Sequence, residues 1–211
     1  MLRVHFLRHG QTVMSRENRF CGSIDPELTE DGRAMAEQFA AANSATAWTA
    51  VYCSPMKRAV ATALPACALH GLKPVERDGL REIAYGKWEG CKVEEVDRDY
   101  HDDHVRWLAD PGWNSPTGGE TAITIATRAL AVVEEIKRDH PNGDVLIVSH
   151  KATIRIILCS LLGIDTGRFR FRLACPVASA NVVEFGSRGP LLLRLADRSH
   201  LDDRLRDLPG T

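Results

Sequence analysis

Two short stretches decide the fold: Val-His-Phe-Leu-Arg-His-Gly at residues 4–10 and Asp-Val-Leu-Ile-Val-Ser-His at residues 144–150. Each is a run of mostly apolar residues that ends in a polar pair containing a histidine. Such runs are typical of parallel strands that are buried on both faces. Because α/β proteins bind ligands beyond the carboxyl ends of parallel strands, we expect His9 and His150 to lie at one functional edge of a sheet.

Strands and helices alternate along the rest of the chain. Strands are predicted at residues 4–7, 49–53, 73–76, 144–149, 177–185 and 191–195. Helices are predicted at residues 28–43 with Thr29 as N-cap, from Pro55 in the first turn to residue 69, at 121–138 and at 153–162. This order predicts an α/β protein, a three-layer α/β/α sandwich around a mostly parallel central sheet.

Two segments interrupt the alternation of strands and helices, but neither divides the chain into separate domains. No linker divides residues 1–211, which favours a single domain. Residues 78–118 are less regular and rich in tryptophan and charge, so we expect an excursion that lies over the end of the sheet. Residues 197–211 form a charged tail that we expect to fray.

Composition excludes several classes of protein. Hydrophobic residues make up 44% and charged residues 26%, as in globular proteins, and the net charge of −1 counts against a nucleic-acid binder. No apolar run reaches the ~20 residues that cross a bilayer, so no membrane association is expected. The six cysteines are scattered and form no CxxC pair, which favours reduced thiols and a cytoplasmic location.

Four polar pieces fall at the predicted sheet edge or near it. Arg8 and His9 follow the first strand, Arg58 lies one turn into a helix, Glu82 stands among apolar residues that would favour its protonated form, and His150 follows a later strand. Taken singly, each also fits a bland role: a strand cap, a solvated helix arginine or a turn salt bridge. Their occurrence together favours a pocket for phosphate.

Six motifs occur along the chain in a recognisable order. They are Leu-Arg-His-Gly-Gln-Thr (7–12), Leu-Thr-Glu-Asp-Gly (28–32), Ser-Pro-Met-Lys-Arg-Ala-Val-Ala-Thr-Ala (54–63), Leu-Arg-Glu-Ile-Ala-Tyr-Gly-Lys-Trp-Glu-Gly (80–90), Pro-Thr-Gly-Gly-Glu-Thr (116–121) and Val-Ser-His (148–150). With these motifs the chain resembles the histidine phosphatase superfamily, which includes the cofactor-dependent phosphoglycerate mutases. The resemblance covers most of residues 1–186.

The resemblance implies a phosphoglycerate mutase-like fold and a role for each matching residue. His9 resembles the nucleophile that becomes a phosphohistidine, and Arg8 and Arg58 resemble the arginines that clamp phosphate. His150 resembles the second histidine, which also holds the phosphoryl group, and Glu82 resembles the proton donor of the phosphatase branch. Phosphoryl transfer depends on positioning and charge stabilisation, which these groups would supply without a metal or other cofactor.

Some positions depart from the family pattern. Ser15 stands where the family usually has an asparagine that touches phosphate, six residues after the nucleophile, and we expect its hydroxyl to replace that contact. Cys21 and Gly22 match a loop whose backbone approaches the phosphate in relatives, so Cys21 would either line the pocket through its main chain or be an ordinary loop thiol. Lys151 stands where many relatives have glycine; it would either meet a second acidic group of the substrate or be a solvated lysine.

Three functions follow from these residues. The favoured one is a metal-independent phosphomonoesterase acting on a small phosphorylated metabolite through a phosphohistidine. The alternatives are a cofactor-dependent phosphoglycerate mutase and, in another class, a non-catalytic protein with a phosphate pocket. The resemblance leaves the substrate open among phosphoserine, a sugar phosphate, a phosphoglycerate derivative and a nucleotide-loop phosphate of cobalamin synthesis. Pairing of sheet edges could also form a homodimer.

Two further clusters have competing interpretations. Trp88, Trp107 and Trp113 would either roof the substrate pocket or belong to the core. His101 and His104 flank two aspartates in a pattern that superficially suggests a metal site. We interpret these two histidines as part of a solvated helix face, since no further ligand spacing supports a site.

Overall fold

The computed structural model describes residues 1–210. Within that range the strands are β1 (Leu2–Arg8), β2 (Trp48–Cys53), β3 (Val75–Glu76), β4 (Gly143–Ser149), β5 (Ala180–Gly186) and β6 (Gly189–Asp197). The helices are α1 (Val13–Arg16), α2 (Glu30–Ala42), α3 (Lys57–Leu69), α4 (Val93–Asp99), α5 (His101–Ala109), α6 (Ala122–Asp139), α7 (Lys151–Leu161), α8 (Phe169–Arg172) and α9 (Asp203–Arg206).

The six strands form one mixed sheet in the order β3-β2-β4-β1-β5-β6. Strands β3, β2, β4 and β1 pair in parallel, whereas β5 and β6 are antiparallel additions. In the β1–β4 pairing, Arg8 lies opposite Ser149, so the next residue of each strand is a histidine. The predicted meeting of His9 and His150 at one sheet edge is confirmed.

Helices cover both faces of the sheet, which gives the three predicted layers. Phe6 and Ile147 belong to a core shared with α6 and α7, while Leu7 and Val148, their neighbours in sequence, belong to a core shared with α2 and α3. Successive side chains of a strand point to opposite faces, so a strand buried on both sides is apolar without alternation. This explains the continuous apolar runs that predicted these strands.

The start of α3 differs slightly from the prediction. Pro55 lies outside the helix, which begins at Lys57 with Met56 as N-cap. The Met56 amide donates to the hydroxyl oxygen of Ser54 at 3.3 Å, so the segment bends before the helix begins. Pro55 therefore shapes the approach to the helix and is not part of its first turn.

The prediction of a frayed tail is wrong. Leu201 and Leu205 are buried against α2, and the Asp202 side chain caps α9 by accepting from the Leu205 amide at 2.8 Å. Further along, Gln11 Nε2 donates to the carbonyl of Pro209 at 2.7 Å. The high charge of the tail hides two apolar residues at helical spacing, which is enough to dock a short helix.

The three tryptophans of residues 78–118 have different surroundings. Trp88 and Trp107 are buried in a small aromatic cluster, while Trp113 is 77% exposed. His104 is also buried and its Nδ1 lies 3.0 Å from an oxygen of Asp97. The interpretation of a fully solvated helix face is therefore wrong for His104, which packs edge-on against Trp88.

Three findings from residues 1–210 bear on partners. No helix in this range combines the length and the apolar character needed to cross a membrane. The six cysteines are all free. No three His, Cys, Asp or Glu side chains of these residues are grouped so that they could hold a metal ion.

Candidate active site

A cavity of about 270 Å³ opens beside the carboxyl end of β1. Seven of the nine site residues predicted from the sequence line its wall: Arg8, His9, Ser15, Cys21, Arg58, Glu82 and Lys151. His150 and Gly22 are the two that lie behind the wall. The topology thus brings together side chains that are far apart in sequence, since they follow separate strands or begin separate helices.

His9 has a defined tautomer. Its Nδ1 lies 2.8 Å from the carbonyl oxygen of Gly10, and a carbonyl can only accept, so Nδ1 carries the proton. Nε2 is then left with a lone pair. Burial lowers the pKa of His9 well below 6.5, and the positive charges of Arg58 and Arg8 lower it further. His9 is therefore a neutral imidazole, the form that can act as a nucleophile.

His150 is fully buried and is held by two neighbours. Its Nδ1 accepts from Nε of Arg58 at 3.2 Å, so its Nε2 carries the proton and donates to Ser54 Oγ at 2.8 Å. Burial and the Arg58 charge lower the pKa of His150 well below 6.5. The ring centroids of His9 and His150 are 5.1 Å apart. Donation from His150 to a phosphoryl oxygen would require one ring nitrogen to exchange its present partner.

The guanidinium of Arg58 is oriented by the loop at residues 21–25. Nη1 donates to the carbonyl of Ile24 at 2.9 Å, and Nη2 donates to the carbonyl of Gly22 at 3.2 Å. A carboxylate oxygen of Asp25 lies 3.4 Å from Nη1. Because a guanidinium is planar, these contacts together with the bond to His150 fix the direction in which it faces.

Arg8 supplies a second buried positive charge on the cavity wall. Its Nη1 donates to the carbonyl of Cys175 at 2.7 Å. Burial lowers the pKa of Arg8 to about 10, which leaves the guanidinium charged at neutral pH. Two buried guanidiniums beside a neutral imidazole form a pocket that favours a tetrahedral oxyanion.

The carboxylate of Glu82 lies at the start of α7. Its Oε2 accepts from the Ala152 amide at 3.1 Å, and its Oε1 accepts from the Thr153 amide at 3.2 Å and from the Ile83 amide at 3.0 Å. The first amides of a helix have no partner within the helix, so an acidic side chain there satisfies them. The apolar neighbours expected for Glu82 are therefore joined by three backbone amides that bind its carboxylate.

The remaining predicted residues differ in what they offer the cavity. Ser15 lies on the wall, but its hydroxyl donates to the Thr12 carbonyl at 3.0 Å and accepts from the Thr12 amide at 2.9 Å. Burial raises the pKa of the Cys21 thiol to about 11, so the thiol stays protonated. The amide of Gly22 donates to Glu89 at 3.0 Å and does not face the cavity.

Three cationic wall residues, Arg19, Arg155 and Arg170, were not predicted as site residues, and Arg19 is paired with Glu17 at 2.8 Å. Arg155 follows Lys151 by four positions in α7, and that spacing places two side chains on the same face of a helix. The signal for Arg155 was therefore present in the sequence. Arg170 comes from the short helix α8, whose position over the cavity no local pattern indicates.

Comparison with known proteins agrees with this geometry. The family model of the histidine phosphatase superfamily (branch 1) matches residues 4–198. Phosphoserine phosphatase 1 of Hydrogenobacter thermophilus is 32% identical over 203 residues, 96% of each chain. Glucosyl-3-phosphoglycerate phosphatase of Mycobacterium tuberculosis is 30% identical over 168 residues, 76% of this chain and 75% of the relative.

Solved structures show the same architecture. YhfR of Bacillus stearothermophilus superposes with a TM-score of 0.88 at 25% identity, covering 96% of this chain and all of that one. The mycobacterial glucosyl-3-phosphoglycerate phosphatase Rv2419c in complex with VO3 gives a TM-score of 0.83 at 28% identity, covering 92% and 98%. The chain belongs to the histidine phosphatase superfamily. The resemblance and the α/β fold predicted from the sequence are confirmed.

Proposed function

We propose that this protein is a phosphomonoesterase that hydrolyses a small phosphorylated metabolite in two steps. In the first step, Nε2 of His9 attacks phosphorus while the ester P–O bond breaks. Glu82, in its protonated form, gives its proton to the leaving alkoxide. Arg8 and Arg58 stabilise the charge on the equatorial oxygens, and the product alcohol departs from a phosphohistidine enzyme.

The second step regenerates the enzyme. Glu82, now a carboxylate, takes a proton from water as the water oxygen attacks the phosphorus of phosphohistidine. The P–N bond breaks, its electron pair returns to Nε2 of His9, and inorganic phosphate leaves. His150 supports both steps as the residue that holds Arg58, while Ser15, Cys21 and Lys151 line the cavity around these groups and Gly22 lies behind them.

The hydrogen bond from Nδ1 of His9 to the Gly10 carbonyl is the observation that carries this proposal. It selects the tautomer with a free Nε2 without adding a charge to the ring. A histidine in that state, on a cavity wall between two buried arginines and a carboxylate, has the groups that in-line phosphoryl transfer needs. The named relatives of the chain are phosphatases, which supports the same conclusion.

The proposal is tested by phosphate release. p-Nitrophenyl phosphate, O-phosphoserine, 3-phosphoglycerate and a sugar phosphate would be compared by kcat/KM, with a phosphoglycerate mutase assay run on the same preparation. We expect stoichiometric inorganic phosphate with at least one metabolite. Return of the phosphoryl group to product, with little release to water, would favour the mutase alternative instead.

We also propose a homodimer that forms through β6, the outermost strand of the sheet. Leu191, Leu193 and Leu195 of this strand are 58%, 45% and 40% exposed. An edge strand with exposed apolar side chains can pair antiparallel with its own copy. Light scattering of the wild type and of Leu193→Glu tests this, since a monomeric wild type would contradict it.

A cytoplasmic location is proposed on the state of the cysteines. All six are free, and Cys53, Cys67, Cys159 and Cys175 are buried. Free thiols persist in a reducing compartment. Fractionation of the producing cells, with the protein found outside the cytoplasm, would contradict this proposal.

A further inference from the structure

The cavity carries more positive charge than one phosphate group requires. Besides Arg8 and Arg58, its wall includes Arg19, Lys151, Arg155 and Arg170, of which Arg19 is paired with Glu17 at 2.8 Å. A phosphate monoester carries a charge of about −2 near neutral pH, which the first two arginines balance. Lys151, Arg155 and Arg170 therefore face the same space without a counterpart in a single phosphoryl group.

Neighbouring acids do not balance these three cations. Among the residues of 1–210 that line the cavity, Glu82 is the single acidic side chain, and its oxygens already accept from the start of α7. Within the same range Nε of Arg155 and Nη1 of Arg170 are buried and have no hydrogen-bond acceptor. A buried charged donor without an acceptor is costly, and an acidic ligand in contact with the same guanidiniums would recover part of that cost.

The electrostatics of this part of the wall agree with a site for an anion. Burial lowers the pKa of Lys151 to about 7, and repulsion from Arg8 and Arg155 adds to this effect. Burial likewise lowers the pKa of Arg170 to about 10, with Arg155 again repelling. Arg155 thus lies close enough to repel both Lys151 and Arg170, and we call these three cations the strip.

Arg170 is held in place before any ligand arrives. Its guanidinium carbon lies 3.9 Å from the ring centroid of Trp107, a cation–π contact that fixes the planar group against the wall. Trp107 itself is buried against Trp88 and Phe20. A preorganised guanidinium loses little freedom when it binds a planar or tetrahedral oxyanion.

We propose that Lys151, Arg155 and Arg170 form a second subsite that binds a further acidic group of the substrate, a carboxylate or a second phosphate, beyond the phosphoryl group held by Arg8 and Arg58. This inference rests on the proposed function because it assigns the substrate class of the same cavity. The preferred substrates are then phosphorylated acids rather than phosphorylated neutral alcohols.

Matched substrate pairs test the subsite. 3-Phosphoglycerate and glycerol 3-phosphate differ by a carboxylate in place of a hydroxymethyl group, and ethylene glycol bisphosphate differs from the monophosphate by a second phosphate. We expect kcat/KM to be at least tenfold higher for the acidic member of one pair, and the pair that shows it identifies the acid. Ratios near one in both pairs, with phosphate released from all four compounds, would overturn the subsite and leave the proposed function standing.

Two variants assign the selectivity to the strip. Arg155→Gln and Arg170→Gln should each lower the acidic-to-neutral ratio about fivefold or more, since each removes a charge-assisted contact. Arg172→Gln is the matched control, because Arg172 is exposed on the same short helix as Arg170. An unchanged ratio in both strip variants would contradict the assignment.

Binding measurements test the subsite independently of catalysis. The His9→Ala variant removes the proposed nucleophile, so the dissociation constants of both members of each pair can be measured by calorimetry. Tighter binding of the acidic member supports the subsite even if the wild type releases no phosphate, a result that would defeat only the proposed function. Equal binding of both members overturns the subsite.

A second, independent observation concerns Glu89. Its carboxylate accepts from four backbone amides, those of Gly22 at 3.0 Å, Ser23 at 2.8 Å, Ile24 at 3.3 Å and Tyr85 at 3.0 Å. One side chain thereby fixes a short loop and a neighbouring turn. No arginine or lysine of residues 1–210 forms a salt bridge with Glu89, so its charge is directed at these amides.

The same loop holds Arg58 from the opposite side. The peptide unit that joins Cys21 to Gly22 donates its N–H to Glu89 and accepts from Arg58 Nη2 through its carbonyl at 3.4 Å. The unit that joins Gly22 to Ser23 does the same, with its carbonyl 3.2 Å from Nη2. Two peptide dipoles therefore lie between a carboxylate and a guanidinium, each with its negative end toward the cation.

Gly22 is required where these groups meet. A Cβ atom there would lie 1.9 Å from the carbonyl oxygen of Ile83 and 2.7 Å from Oε1 of Glu89. Any larger residue would push the loop away from either Glu89 or Arg58. Gly22 therefore permits close packing of this loop and does not itself face the cavity.

We infer that Glu89 is a positioning residue that orients Arg58 through these two peptide units. Glu89→Gln keeps the size of the side chain but replaces one acceptor oxygen with a donor. We expect kcat/KM for p-nitrophenyl phosphate to fall about tenfold and inhibition by vanadate to weaken by a similar factor. Glu94→Gln, an exposed glutamate nearby, is the matched control.

A double-mutant cycle distinguishes positioning from a merely structural role. In an Arg58→Met background, Glu89→Gln should cause less than a twofold further loss of kcat/KM, because the group it orients is gone. A full tenfold further loss, or a loss of thermal stability without any change in vanadate inhibition, would overturn the inference.

Discussion

Nε of Arg58 donates to Nδ1 of His150 over 3.2 Å, so an arginine and a histidine from different elements share one hydrogen bond beneath the cavity. A neutral histidine that accepts at one ring nitrogen carries its proton on the other. Ser54 Oγ accepts a hydrogen bond from that N–H, and the two heavy atoms are 2.8 Å apart. His150 is thereby fixed as a neutral imidazole, and Arg58 is fixed by it.

Ser54 is expected to affect catalysis because it accepts the hydrogen bond that fixes His150. Ser54→Ala removes the acceptor of the His150 proton, and we expect kcat/KM for p-nitrophenyl phosphate to fall about tenfold, equivalent to about 1.4 kcal/mol. Ser54→Thr keeps the hydroxyl and should retain most activity. Ser160→Ala in α7 is the control, since that hydroxyl bonds only to its own helix. Full activity in Ser54→Ala would contradict this role.

Replacement of His9 should abolish the covalent intermediate. We expect His9→Ala to lose on the order of 10⁴-fold or more in kcat, as other enzymes do without their nucleophile. Rapid quenching of the wild type with ³²P-labelled substrate should trap an acid-labile, alkali-stable phosphoenzyme that His9→Ala does not form. A trapped phosphoenzyme in the variant would show that another residue is the nucleophile.

Glu82→Gln should affect substrates according to their leaving groups. General acid catalysis contributes about 10²–10⁴-fold when the leaving group is a poor one. We expect a loss in that range for an alkyl phosphate and a much smaller loss for p-nitrophenyl phosphate, whose leaving group needs little protonation. Equal losses in kcat for both substrates would argue against proton donation by Glu82.

Acid should destabilise the fold through the buried histidines. The pKa values of His9 and His150 are lowered in the folded state, so below about pH 6.5 the unfolded chain binds more protons than the folded one. The free energy of unfolding should therefore fall as pH drops from 7 to 5.5. The fall in Tm over this range should be smaller in His9→Asn, and unchanged in His101→Asn, whose imidazole is exposed. A Tm that is constant over the range would contradict this.

The C-terminal helix should contribute to stability. Leu205 is fully buried in the contact between α9 and α2, so Leu205→Ala should cost about 2 kcal/mol or more of unfolding free energy in urea. Leu69→Ala at the exposed end of α3 is the control and should change the unfolding free energy by less than about 0.5 kcal/mol. Equal effects of the two substitutions would mean that α9 is only loosely docked.

The sequence predicted the parts of the site that local pattern determines. His9 and His150 follow strands buried on both faces, and such strands read as continuous apolar runs. Arg58 follows from the start of a helix that faces the same edge. These groups meet because parallel pairing brings strand ends together, a consequence of topology that the alternation of elements already implies.

The rest of the site depends on contacts between segments that are distant in sequence. Nothing local to Glu89 indicates that its carboxylate accepts from amides at residues 22–24, and nothing near Arg170 places α8 over the cavity. The hydroxyl of Ser15 is committed to Thr12 because it closes the first turn of α1. The docking of the C-terminal tail was not predicted because most of its residues are charged and only two of its leucines are buried.

The contact between Glu82 and the first amides of α7 has an evolutionary consequence. The proposed proton donor rests on the helix that also presents Lys151 and Arg155 to the cavity. A substitution that tilts this helix to admit a new metabolite would displace the acid at the same time. Substitutions in α8 are therefore less constrained, because Arg170 can be replaced there without moving Glu82.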